Sequence, residues 1–198
     1  KPFAGINGSG KHVNWSMGDN TGLNLLEPGN EPHSNMRFLA TVAIIIEALN
    51  RHSKVLRMSI SGAGNDHRLG ANEAPPSIIS AYLGDTLDKI FRAIIEDKTF
   101  APTSNQVIDL GTNQLAHLLK DNTDRNRTSP FAFTGNKFEF RAVGASHAIG
   151  FPMTVLNAAV AEVFNESNII LESEIANGVH VDTALLNLIK KWMANSYK

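Results

Sequence analysis

Between Phe38 and Ile46 nine residues follow one another with only Thr41 interrupting the apolar side chains. The run lies inside a longer stretch, Met36 to Leu49, where Leu39, Val42, Ala43, Ile46 and Leu49 recur at intervals of three and four. That spacing gathers them on one side of an α-helix, and Ser34 or Asn35 can cap its start. A membrane crossing needs about 20 apolar residues. The run is therefore read as a core helix, and the chain is expected to be soluble, with no membrane partner. Of the 198 residues 42% are hydrophobic, enough for one ordinary domain or a large part of one.

Charge and cysteine content narrow the function classes. Eighteen basic against nineteen acidic residues leave a formal net charge of −1. Without a basic excess there is little to draw the chain to a phosphate backbone, which argues against a nucleic-acid partner. The absence of cysteine excludes a disulfide scaffold, a thiol nucleophile and a Cys-based zinc site. It fits a reducing, cytoplasmic compartment, and no signal-peptide pattern is read at Lys1. A glycine-rich segment at the first residues leads to the expectation that the chain is a piece of a longer polypeptide.

Further along, residues 59–74 read as a loop. Pro75 and Pro76 open a second helix, expected to reach about residue 97, with Ile79, Leu83, Leu87, Ile90 and Ile94 along it. Residues 98–113 read as irregular, a short helix is expected over Gln114 to Lys120, and 121–130 as a loop. Phe131 to Val143 reads as a β-hairpin turning at Gly135-Asn136. Pro152 opens a helix to about Phe164, and Asp182 caps the last one. Strands and helices mix without regular βαβ alternation, which predicts an α+β fold.

Four constellations could carry chemistry. Gly5 to His12 nearly matches a phosphate-binding loop. However, His12 stands where a hydroxyl must hold magnesium, and no strand precedes or helix follows. Lys137, Glu139 and Arg141 share one face of a strand, since side chains alternate. Either they are a solvated sheet face, or Glu139 is a metal-ligating carboxylate flanked by cations. Arg125 and Arg127 lie in a polar loop that suits phosphate or carboxylate clamping, or simply faces water. The loop from Asn65 to Pro75 carries Glu73 just ahead of an expected helix. Glu73 is either a favourable charge at a helix start or a general base on a mobile flap. His33, His52, His117, His147 and His180 show no metal-ligand spacing.

In their order these motifs — an N-G-S-G-x-H loop, an R-L…E-A-P loop, R-N-R, then E-x-R on a strand — resemble the catalytic domain of glutamine synthetases. The phrase RLGANEAPPSIISAYLG, from Arg68 to Gly84, is similar to the type III branch. The resemblance covers residues 1–198 and corresponds to the C-terminal part of that domain, an antiparallel sheet packed with helices. It implies that Asn7 and Gly8 touch glutamate, that His12 and Glu139 are metal ligands, and that Ser16 lies near the nucleotide. It implies that Arg68 and Arg141 hold the glutamate substrate and that Lys137 takes the place of a phosphate-binding arginine. Arg127 would stabilise the transferred phosphoryl group, and Glu73 would close the site and take a proton from ammonium. Asn14 stands where the family has a second histidine, Lys11 where it has methionine, and Ala132 where it has an arginine.

The implied reaction is ATP-dependent ligation of ammonia to glutamate through γ-glutamyl phosphate, with Mg²⁺ or Mn²⁺ as cofactor and ATP as substrate. The implied assembly is a ring-shaped homo-oligomer, a dodecamer in the full enzyme. Further glutamate ligands would come from the upstream part of the same polypeptide, so this chain alone is expected to lack ligase activity. The alternatives are a related ligase that forms γ-glutamyl amides with amines, or a non-catalytic assembly fragment.

Overall fold

A computed structural model describes residues 10–71, 74–98 and 129–197, together with the short strands at 107–108 and 118–119. The described residues form four helices and two sheets, an α+β arrangement as the sequence predicts. Strand β1 (Gly10–Trp15) is followed by helix α1 (Met36–Ser59), β2 (Ala81–Tyr82) and α2 (Gly84–Ile95). Then come β3 (Val107–Ile108), β4 (Leu118–Leu119), β5 (Phe131–Phe133), β6 (Phe138–Gly144), α3 (Gly150–Ala176) and α4 (Val181–Ser196). No described helix is long and apolar enough to cross a membrane.

The larger sheet runs β1-β6-β5-β2. The β1–β6 and β6–β5 pairs are antiparallel, as expected, but β2 lies parallel to β5, so the sheet is mixed. Thr134 N–H donates to Lys137 O at 2.8 Å across the β5–β6 turn. Gly135 there takes φ +92°, a conformation glycine adopts without steric cost. Alternation sends Phe131, Phe133, Phe138 and Phe140 inward. Phe131 stacks on Phe138 with ring centroids 4.5 Å apart, and Phe38 of α1 meets Phe133 at 5.7 Å.

Helix α1 starts where Asn35 Oδ1 accepts the Phe38 N–H at 3.1 Å. Its first half is buried from Phe38 to Leu49, because α3 and α4 pack against it and Phe38 meets Phe133 of the sheet. It runs ten residues beyond the expected end at Leu49, through a non-helical turn at His52. Arg51 of that extension is tied down: its Nε bonds Glu47 Oε1 at 2.6 Å, its Nη1 reaches Glu166 of α3, and its guanidinium lies over Trp192 of α4.

Four local expectations need correcting. The second helix begins at Gly84, not at Pro75-Pro76, because Ala81 and Tyr82 join the sheet beside β5 and Gly84 turns at φ +81°. Leu118 and Leu119 form a strand with Val107 and Ile108 instead of part of a helix. Helix α3 continues past Phe164 to Ala176, since Ser167 in its polar stretch is buried and satisfied by Val163 O and Trp192 Nε1. His180, not Asp182, caps α4; its ring accepts the Asp182 N–H at 3.3 Å.

Candidate functional site

The β1–β6 ladder has a dry face and a wet face. Val13 and Trp15 of β1 and Phe138 and Phe140 of β6 turn into the core. By alternation His12 and Asn14 lie on the opposite face, with Glu139 and Arg141 of β6. The cross-strand register, Asn14 opposite Glu139 and Val13 opposite Phe140, sets these groups side by side.

His12, Glu139 and Arg141 form a connected set at the middle of this face. His12 Nδ1 lies 2.8 Å from Glu139 Oε1. Arg141 Nε donates to Glu139 Oε2 at 3.0 Å and Nη2 to the same oxygen at 2.9 Å. Burial pushes the Glu139 carboxyl up, but the Arg141 guanidinium and then His12 outweigh it and hold it below the usual carboxylate range. The result is an ionised carboxylate with one imidazole beside it, fixed from behind by an arginine that is 2% exposed. One oxygen and one nitrogen donor at this separation suit a divalent cation that accepts both types. Among the described residues no group of three or more His, Asp or Glu converges to hold an ion.

The other expected residues that are described, Ser16, Lys137 and Arg68, lie at the two ends of the ladder. At the β5–β6 turn, Asn24 bridges Ser16 to the residue that precedes Lys137. Its Oδ1 accepts the Ser16 hydroxyl at 2.7 Å, and its Nδ2 donates to Asn136 O at 2.8 Å, next to Lys137. At the far end, where Gly10 pairs with Gly144, the buried Arg68 packs under the first residue of β1. Gly10 opens β1 and Ser16 follows its last residue, six positions on and about 20 Å along an extended chain. Asn7, Gly8, Glu73 and Arg127 lie outside the described residues.

Two residues of this region carried no signal for the reading above. Asn24 is one of several asparagines in a polar stretch, and nothing local marks it as a bridge. Asn65 sits in a glycine-rich loop that reads as solvated, yet it is 0% exposed and its amide is bonded on both sides.

No protein-family model matches the chain. Curated proteins do. The type-3 glutamine synthetase of Dictyostelium discoideum is 51% identical over 192 residues, which is 96% of this chain and 26% of that protein. A glutamine synthetase of Bacteroides fragilis is 45% identical over 195 residues, 96% of the chain and 27% of that protein. One from Butyrivibrio fibrisolvens is 50% identical over 139 residues, 70% of the chain and 20% of that protein. Over most of its length the chain is homologous to proteins named glutamine synthetase. It spans about a quarter of the length of the first two of these glutamine synthetases.

Proposed function

We propose that this chain, within a polypeptide of its relatives' length, helps join ammonia to the γ-carboxylate of L-glutamate using ATP. The observation that carries the reading is the His12–Glu139–Arg141 cluster on the wet face of the β1–β6 ladder. It is supported by 45–51% identity to proteins named glutamine synthetase.

In the first step a γ-carboxylate oxygen attacks the γ-phosphorus of ATP, ADP leaves, and γ-glutamyl phosphate forms. In the second, ammonia attacks the acyl carbon and phosphate leaves. The first step brings two anions together, so fixed cations must offset their repulsion. Arg68, with Asn7 and Gly8, holds the glutamate substrate, and Arg141 both supports Glu139 and faces that substrate. Arg127 donates to the transferring phosphoryl group, and Ser16 and Lys137 attend the nucleotide. Ammonium is not a nucleophile; Glu73 collects it and accepts its proton. Closing the loop that carries Glu73 keeps water from the acyl phosphate.

Mg²⁺ or Mn²⁺, when bound, neutralises polyphosphate charge. His12 and Glu139 fit such an ion as two of its several ligands. The others would come from residues elsewhere in the polypeptide, and the working assembly is a ring of identical subunits.

The test is Glu139→Gln in the full-length protein. Mn²⁺ affinity is expected to fall, and glutamine formation to slow by about a hundredfold or more, with the circular-dichroism spectrum preserved. Undiminished turnover would remove Glu139 from the site. Assays with ammonia and with larger primary amines decide the acceptor, and ammonia is expected to be preferred.

A further inference from the structure

The β1–β6 register slips between Val13, opposite Phe140, and Lys11, opposite Val143. Arg141 and Ala142 therefore both stand opposite His12, which makes this a β-bulge on β6. A bulge disrupts the ladder and leaves backbone groups in need of partners. Two side chains of the 61–71 loop supply them on three consecutive carbonyls. Asn65 Nδ2 donates to Ala142 O at 2.8 Å, and Arg68 Nη2 donates to Val143 O at 3.2 Å and to Arg141 O at 3.4 Å.

Asn65 is used to the full. Its Nδ2 also donates to Ile60 O at 2.8 Å, and its Oδ1 accepts Arg68 Nε at 3.0 Å. The guanidinium is thus gripped along its Nε and Nη2 sides. The Nη1 side faces Gly10, where an added Cβ would come within 2.8 Å of Nη1 and 3.0 Å of Cζ. Gly10 has no positive φ, so what glycine supplies here is space for the guanidinium and not conformation. Arg68 is 3% exposed, yet no described carboxylate pairs with it. A neutral amide orients a cation without neutralising it, whereas an aspartate in its place would cancel the charge.

We propose that Asn65 is a positioning residue: it locks Arg68 against the β6 bulge, beneath Gly10, and so presents the guanidinium to the carboxylate of the amino-acid substrate. The inference rests on the assignment of Arg68 to glutamate made above. Anchoring Arg68 to the carbonyls of Arg141 and Val143 also fixes it to the strand that carries Glu139. Recognition of the amino acid and of the metal then share one rigid frame.

The test uses the full-length protein and three variants, Arg68→Lys, Asn65→Ala and Gly10→Ala, with KM for glutamate, KM for ATP, kcat and Tm measured for each. Asn65→Ala and Gly10→Ala are each expected to raise the glutamate KM about tenfold, the weight of one charge-assisted hydrogen bond, while the ATP KM stays within about twofold. Asn65→Ala added to Arg68→Lys should cost little further, since both act through one group. If Arg68→Lys leaves the glutamate KM unchanged, the assignment of Arg68 fails and the proposal falls with it. If Arg68→Lys raises that KM while the other two leave it alone, the assignment stands and the proposal is overturned. Should Asn65→Ala lower Tm and every kinetic constant together, Gly10→Ala decides. It displaces the flexible end of Arg68 without touching Asn65, and an unchanged glutamate KM there also overturns the proposal.

Discussion

Single side chains in this protein do work that their neighbours in sequence do not announce. Ser167 is one. Buried in α3, it donates to Val163 O at 2.6 Å and receives the Trp192 indole N–H at 2.9 Å. Ser167→Ala strands a buried donor, so urea unfolding should show a loss of about 1–3 kcal/mol. Ser167→Thr, which keeps the hydroxyl, should lose less. Asp88 is another. Burial raises its carboxyl, but Arg92 and Tyr197 outweigh this and hold it below its ordinary value. Tyr197 is pushed up to about 12, first by burial and then by Asp88. A depressed acid stabilises the fold above its unfolded pKa, and that contribution fades as pH falls through the folded value. A raised phenol stabilises below its unfolded value of 10.0, and that contribution is lost as pH climbs toward about 12. The urea midpoint should therefore fall on both flanks. Tyr197→Phe should abolish the part of the alkaline fall that lies between those two values, and an unchanged alkaline limb would refute this coupling.

At the scale of elements, the β5–β6 hairpin is the piece most legible in the sequence and the one on which the candidate site depends. Four phenylalanines alternate about a Gly-Asn turn, and both features act locally, so no distant partner was needed to read them. Phe138 stacks on Phe131 and meets Phe133 edge-on, all three buried. Phe138→Ala should cost about 3–5 kcal/mol in urea unfolding and loosen the strand that carries Glu139. A loss under about 1 kcal/mol would contradict the packing seen here. The second helix was less legible for a physical reason. Ile79, Leu83 and Leu87 follow helical spacing, yet Ala81 and Tyr82 gain more by completing the sheet edge beside β5 than by winding on from Pro76. Only the presence of β5, fifty residues away, settles that competition. Leu118 and Leu119 show the same effect: two leucines suit either element, and the pairing with Val107 and Ile108 decides.

Across the whole molecule, the described residues bring one imidazole and one carboxylate together where a metal is proposed. Hard divalent cations take six or more ligands. The 198-residue chain purified alone should therefore release no phosphate from ATP in the presence of glutamate and ammonia, while a polypeptide of the relatives' length should. Turnover by the isolated chain would show that these residues suffice.

The sequence by itself carried, in the order of its motifs, the resemblance to glutamine synthetases. It also determined the α+β class, the central apolar helix, the phenylalanine hairpin and the placing of Glu139 and Arg141 on one strand face, which follow from residue type and short-range spacing. The tertiary structure decided what depends on partners far apart in the chain. It brought His12 against Glu139 across 127 positions. It bulged β6 opposite His12, drew Asn65 and Arg68 out of an apparently solvated loop to satisfy the bulge, and left room for that guanidinium only because residue 10 is glycine. A buried polar group needs a hydrogen-bond partner wherever the fold can supply one, and sequence spacing carries no record of which distant backbone atom that will be.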